Sequence, residues 1–165
     1  MSNDTVILEK RIAALESQVR ALTDQLEIYH AVATYGPAVD GIASAEAADL
    51  WTEDGVYDAQ LGLWRGTEEL CGMTQGELHN RLTSNGCGHV LTMPRVVVNG
   101  DTAVALNHSQ LYEKSGDTFA VLRISANKWE FVRTDKGWKI KRRTLRVLDG
   151  SKDARDIFSD EFASR

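Results

Sequence analysis

Residues 28–58, IYHAVATYGPAVDGIASAEAADLWTEDGVYD, decide how the chain is read. Gly36-Pro37 interrupts a first helix near Thr34. A second helix is expected over 43–51, then a turn at Glu53-Asp54-Gly55 and a strand opening with Val56-Tyr57-Asp58. Tyr35 and Asp40 are polar residues set among small and apolar ones. A carboxylate buried there needs a partner, because an unpaired buried charge is heavily penalised. The rest of the chain is therefore searched for one.

Upstream, the apolar residues Leu8, Ile12, Leu15, Val19, Leu22, Leu26 and Tyr29 alternate four and three apart, with charged and amide side chains between them. β-Branched Ile12 and Val19 fall at a, and Leu8, Leu15 and Leu22 at d, the pattern of a parallel two-stranded coil. Arg11 at g can meet Glu16 at e of a partner. The other reading of the seam is a long amphipathic helix covering its own domain.

Downstream, Thr67 caps a third helix that carries Glu68 and Glu69 in its first turn and ends before Asn85-Gly86. Four strand-like runs follow at 88–98, 102–113, 118–133 and 138–147, separated by Asn99-Gly100-Asp101, Ser115-Gly116-Asp117 and Asp135-Lys136-Gly137. Helices first and a strand meander second define an α+β domain with a curved, mostly antiparallel sheet over the helices. The expected division is a helical extension over 1–27, one domain over 28–150, and a tail over 151–165 with a short helix.

The chain has 165 residues, 42% hydrophobic and 26% charged, which suits one core. A net charge of −5 and a pI near 5.4 disfavour nucleic acid as a partner. No apolar run approaches the roughly 20 residues of a bilayer span, and the N-terminus lacks a signal-peptide pattern, so a cytoplasmic protein that does not engage membranes is expected. Cys71 and Cys87 form no metal-ligand spacing and read as reduced packing residues.

Among the four histidines, His30 and His79 lie on polar helical stretches and read as solvated or interfacial. His89 opens an apolar strand, on one face with Leu91 and Met93. His108 shares a face with Val104, Leu106, Gln110 and Tyr112. The basic run Lys139, Lys141, Arg142, Arg143 and Arg146 reads as a solvated strand face, except that Arg146 shares its side with Ile140 and Thr144 and so is expected to point inward. Dinucleotide, phosphate-loop, serine-hydrolase and zinc-protease motifs are absent, and neither a cofactor nor a metal is expected. Trp51, Tyr57, Trp64, Met73, Leu91, Met93 and Trp129 are candidates to line an apolar pocket, with His108 beside them.

The segment YGPAVDGIASAEAADLWTEDGVYD, the WRGTEEL helix start, GHVLT, the VNGDTAVA hairpin and FVRTDKGWKIKRRTLRV resemble successive landmarks of the SnoaL-like branch of the nuclear-transport-factor-2-like superfamily. The resemblance covers residues 28–147 and implies a cone-shaped α+β barrel of a curved sheet wrapped over three helices. Within the superfamily the chain is most similar to scytalone dehydratase, bile acid 7α-dehydratase and hexachlorocyclohexane dehydrochlorinase, which use an Asp-His dyad. Carried over position by position, the resemblance makes Asp40 the dyad aspartate, His89 the dyad histidine, Tyr35 the functional tyrosine of the bile acid enzyme, and Arg146 the functional arginine.

The implied activity is a cofactor-independent lyase acting on a small hydrophobic, cyclic substrate, with Asp40 orienting His89 as general base and Tyr35 and Arg146 stabilising charge. An isomerase or cyclase using the same base, and a ligand-binding module of the same fold, are the alternatives. The relatives imply a homo-oligomer, a trimer, whereas the heptads favour a dimer.

Overall fold

The computed structural model describes residues 3–163. Helix α1 (Asn3–Asp40) leads to a short α2 (Ser44–Asp49), then β1 (Trp51–Ala59) and β2 (Gly62–Arg65). Next come α3 (Gly66–Gln75), α4 (Glu77–Asn85), β3 (Cys87–Leu91), β4 (Arg95–Asn99), β5 (Thr102–Ser115), β6 (Thr118–Thr134), β7 (Gly137–Val147) and α5 (Lys152–Ala163). The strands form one sheet in the order β2-β1-β7-β6-β5-β3, with β4 also on β5. The pair β1–β7 is parallel and the other pairs are antiparallel. This is the expected α+β architecture of a curved sheet closing over helices. No helix among the described residues is long and apolar enough to cross a membrane.

Four elements depart from expectation. Helix α1 runs through Pro37 to Asp40 instead of ending near Thr34. Pro37 lies in the last turn, where its missing N–H removes a single bond and the following residues still close theirs. The expected turn at Glu53-Asp54-Gly55 lies inside β1, where the register on β7 slips between Trp51 and Val56. This bulge absorbs the turn-forming residues while the strand continues. The long strand expected over 88–98 is broken at Thr92-Met93-Pro94 into β3 and β4. Pro94 has no N–H for the ladder, and Asn107 Nδ2 donates to the Thr92 carbonyl at 2.8 Å to close the gap. The expected third helix is likewise divided, at Gly76, into α3 and α4.

Helix α1 serves two purposes along its length. Its heptad residues Leu8, Ile12, Leu15, Val19, Leu22 and Leu26 are 53–67% exposed, so this half does not cover its own domain. Packing on the sheet starts at Asp24, three residues before the expected boundary. The buried Asp24 carboxylate accepts two parallel bonds from Arg133, Nη1 and Nη2 each at 2.8 Å, and one from Trp138 Nε1 at 3.1 Å. The Arg133 bonds hold its carboxyl below the usual range against the opposing effect of burial. From there Ile28, Ala31, Val32, Tyr35, Ala38 and Val39 enter a core with Trp129, Phe131, Ile140 and Leu145.

Gly36 is where the helix backbone meets β3. A Cβ placed there would lie 2.4 Å from the His89 carbonyl oxygen and 3.0 Å from Leu91 Cδ1. The glycine that reads as a helix breaker is a close-approach residue. Alanine is the better helix former by about 1 kcal/mol, yet Gly36→Ala forces β3 away from the helix. Overpacking of this kind costs about 1–3 kcal/mol. Urea denaturation is expected to show a net loss of stability for Gly36→Ala, and a gain would mean that the contact yields freely.

Candidate active site

Helix α1 ends by delivering Asp40 to the first residues of β3. The Asp40 carboxylate binds His89 twice: Oδ1 lies 2.5 Å from the ring Nδ1, and Oδ2 accepts the His89 backbone N–H at 2.8 Å. The ring is 17% exposed and the carboxylate 27%. Burial pushes the Asp40 carboxyl upward, but the ring and backbone bonds from His89 outweigh it and hold the group below its ordinary value. With the proton of the pair on Nδ1, the opposite nitrogen Nε2 is the lone-pair nitrogen. It has no hydrogen-bond partner among the described residues.

His89 lines a cavity of about 580 Å³. Tyr35 and Val39 of α1 and Leu91 of β3 form one wall, Tyr57 and Trp64 another, and Met73, Leu78, His79 and Leu82 of α3 and α4 the cover. Tyr57 and Trp64 stack with ring centroids 5.5 Å apart. Tyr35 is buried, edge-on to Trp129 at 5.4 Å and to Trp51 at 6.3 Å. Burial raises its pKa far above the ordinary phenol value, with Arg143 pulling the other way, so the hydroxyl keeps its proton and can donate.

The arginine on the cavity floor is Arg143 rather than the expected Arg146. Register between β6 and β7 slips so that Phe131 faces Ile140 while Glu130 faces Arg142, which leaves Lys141 as an extra residue. The bulge exchanges the two faces beyond it: Trp138 and Ile140 point inward before Lys141, and Arg143 and Leu145 after it. Arg146 therefore points away from the cavity, where its Nη1 pairs with Asp58 Oδ1 at 2.9 Å. Arg143 is 3% exposed and donates from Nε and Nη2 to Asn127 Oδ1 at 3.0 and 2.8 Å. Its guanidinium lies 4.1, 4.5 and 4.8 Å from the ring centroids of Trp129, Tyr35 and Tyr57.

Of the remaining expected residues, Tyr57 and Leu91 line the cavity, as do Trp64 and Met73. Trp51 and Trp129 do not reach it. Both are buried behind Tyr35, and Trp129 Nε1 donates to Asn107 Oδ1 at 2.9 Å. Met93 is 78% exposed in the break between β3 and β4. His108 is on the outer face of β5, its ring 4.9 Å from that of Phe158 on α5, because the inward set of that strand is Ala103, Ala105, Asn107, Ser109 and Leu111. His79, expected to be solvated or interfacial, lines the cavity. Its Nε2 donates to the Val39 carbonyl at 2.9 Å, and its ring centre is 5.9 Å from that of His89. The signal that could have placed His79 is its spacing to Leu78 and Leu82 on α4, which also face the cavity.

Asp40, Cys87 and His89 could together offer three ligand atoms, all within 4.8 Å of one another. Two of these atoms already share the Asp40–His89 bond, and burial together with the Asp40 charge pushes the Cys87 thiol up, away from the thiolate that binds metals. The donor set suits a proton-handling pair better than a metal centre.

A curved sheet wrapped on helices and enclosing a cavity is the cone-shaped α+β barrel of the nuclear-transport-factor-2-like class. The chain belongs to the SnoaL-like domain family, whose model matches residues 20–144. It is similar to a crystal structure of a nuclear-transport-factor-2-like protein with a cystatin-like fold from Novosphingobium aromaticivorans. That likeness is 37% identical, covers 88% of this chain and 95% of that one, and has a TM-score of 0.86. A protein of unknown function from Mycobacterium tuberculosis shares the fold at 21% identity, with 84% and 92% of the two chains covered and a TM-score of 0.67. A superfamily member from Salmonella enterica does so at 14% identity, 77% and 92% coverage and a TM-score of 0.63. No curated protein matches the chain.

The depressed Asp40 carboxyl carries a pH signature. A group whose folded pKa is lowered contributes stability above its unfolded value of about 3.9 and loses it as pH falls through the folded value. The stability advantage of the wild type over Asp40→Asn is therefore expected to be full at neutral pH and to shrink below about pH 4. Denaturant titrations across that range check it. An advantage independent of pH would mean that the carboxylate charge contributes nothing.

Proposed function

We propose that the chain is a cofactor-independent lyase that removes a proton from carbon and expels water or a related leaving group from a small hydrophobic, cyclic substrate. The observation that carries this reading is the Asp40–His89 bond, which leaves Nε2 unpartnered at the wall of a largely apolar cavity. Nε2 takes the proton while Asp40 stabilises the imidazolium. The C–H electron pair becomes the new π bond, and the leaving oxygen departs with the electrons of its own bond. Tyr35, which keeps its proton, donates a hydrogen bond to that oxygen. Arg143 sets a positive charge beside it in a site of low dielectric. The proton on His89 returns to the departing oxygen, which leaves as water, and the pair is restored.

An isomerase needs the same base but returns the proton to carbon. The chemistry of a trial substrate separates the two: β-hydroxy cyclic ketones lose water with a lyase, whereas unsaturated ketones only shift their double bond with an isomerase.

We also propose a homo-oligomer, a trimer built through the sheets or a dimer through α1. The exposed seam on α1 supports pairing, as does the exposed apolar surface of Phe119, Val121, Leu122 and Ile124 on β6. Cutting the chain at Glu27 would also remove the Asp24 anchor, so point variants test the seam more cleanly. Light scattering is expected to show an assembly that Leu15→Lys with Val19→Lys reduces if the helices pair. An assembly unchanged by these variants assigns the contact to the sheet, and a monomeric wild type contradicts the proposal.

In a dehydration assay on such ketones, His89→Ala is expected to abolish turnover and Asp40→Asn nearly to do so. Because the pair works as a unit, the double variant should be little worse than His89→Ala alone. Multiplying losses would contradict the shared role. Tyr35→Phe removes one donor and should raise the barrier by about 2.7–4 kcal/mol. Arg143→Lys should be severe, since an ammonium does not reproduce the planar fork stacked among three rings, while Arg146→Lys should be mild.

A further inference from the structure

We infer that the cavity takes an apolar ligand bearing a carboxylate, and that Arg123 receives that group. The inference rests on reading the cavity as the substrate site and adds the class of substrate. Strands β6 and β7 carry five arginines, and they divide cleanly. Arg133 is paired with Asp24, and Arg142 and Arg146 are both paired with Asp58. Arg123 and Arg143 line the cavity, and neither forms an ion pair with a carboxylate among the described residues. Two like charges facing one largely apolar space, neither in contact with a carboxylate, are an unfavourable arrangement that an entering anion relieves.

The two arginines are not equivalent. Arg143 is held at the floor by Asn127 and three aromatic rings, beside Tyr35, where it acts on charge that develops during reaction. Arg123 is near the open end. Its neighbours Val121, Leu122 and Ile124 on β6 are 44–49% exposed, while Arg123 itself is partly buried on the inward face. It makes no hydrogen bond that would tie up its five donors.

The register sets the distance this ligand must span. His89 faces Leu111 across β3–β5, and Leu111 faces Arg123 across β5–β6. Base and guanidinium thus stand in one row two strands apart, about 9–10 Å between backbones. That separation suits a carboxylate attached at the far side of one ring from the carbon that loses its proton. Ser109 and Gln110, which also line the cavity on β5, flank the same row with polar groups. Two acids line the opposite wall, Glu69 and Glu77 on α3 and α4; both are exposed, and Glu69 already accepts the Arg65 backbone N–H at 2.7 Å.

Isothermal titration of the full chain with naphthoate and with its neutral isostere naphthamide tests this without requiring turnover. The wild type is expected to bind the carboxylate at least about tenfold more tightly, which is about 1.4 kcal/mol. Arg123→Gln should erase that preference with naphthamide affinity unchanged, and Arg123→Lys should retain part of it. His89→Ala should keep the preference in full, so loss of the lyase reading and loss of this one are told apart. Equal affinities, binding of neither probe, or a preference that survives in Arg123→Gln would overturn the assignment.

Discussion

Asp40 grips His89 at two points, the ring nitrogen and the backbone N–H, and the positions of the helix, the strand and the imidazole ring all follow from that grip. One carboxylate oxygen fixes where β3 begins, and the other fixes how the imidazole is turned. The grip requires α1 to stay helical through Pro37, so that Asp40 projects from a rigid end instead of a loop. It also requires Gly36, because a side chain there would collide with the carbonyl of the very residue that Asp40 holds. Helix packing and the geometry of the Asp40–His89 pair are thus one constraint seen from two sides.

The second constraint is the parity of the sheet. A strand has a period of two, so one extra residue exchanges its faces. Lys141 is such a residue, and its bulge turns Arg143 inward under Tyr35, Tyr57 and Trp129 while sending Arg146 out to Asp58. The consequence is a buried guanidinium at the floor of the cavity that His89 also lines. His89 and Arg143 come from elements far apart in sequence, held in register by β5 and β6.

The legible part of the sequence was that governed by long-range pattern. Strand runs separated by Gly-containing turns, the heptad seam and the resemblance over 28–147 led to the architecture and to Asp40, His89 and Tyr35 gathered at one wall. Local breaker chemistry misled where tertiary contact overrode it: Gly36-Pro37 sits inside a helix, and Glu53-Asp54-Gly55 sits inside a strand. Alternation misled wherever a bulge or break intervened. Arg146, Met93 and His108 were placed by counting twos from residues on the far side of an irregularity or on the opposite face. His79 and Arg123 were missed because polar residues on a polar helix and on a hairpin strand look solvated until the partner wall is known.

In the proposed reaction Asp40 holds the proton of the pair on Nδ1 and leaves His89 Nε2 as a free base toward the cavity. Nitrogen-15 NMR of the imidazole in the resting protein, at a pH where the ring is neutral, reads this directly. His89 is expected to be the Nδ1–H tautomer in the wild type and to lose that single tautomer in Asp40→Asn. A wild-type His89 carrying its proton on Nε2, or a tautomer unaffected by Asp40→Asn, would contradict it.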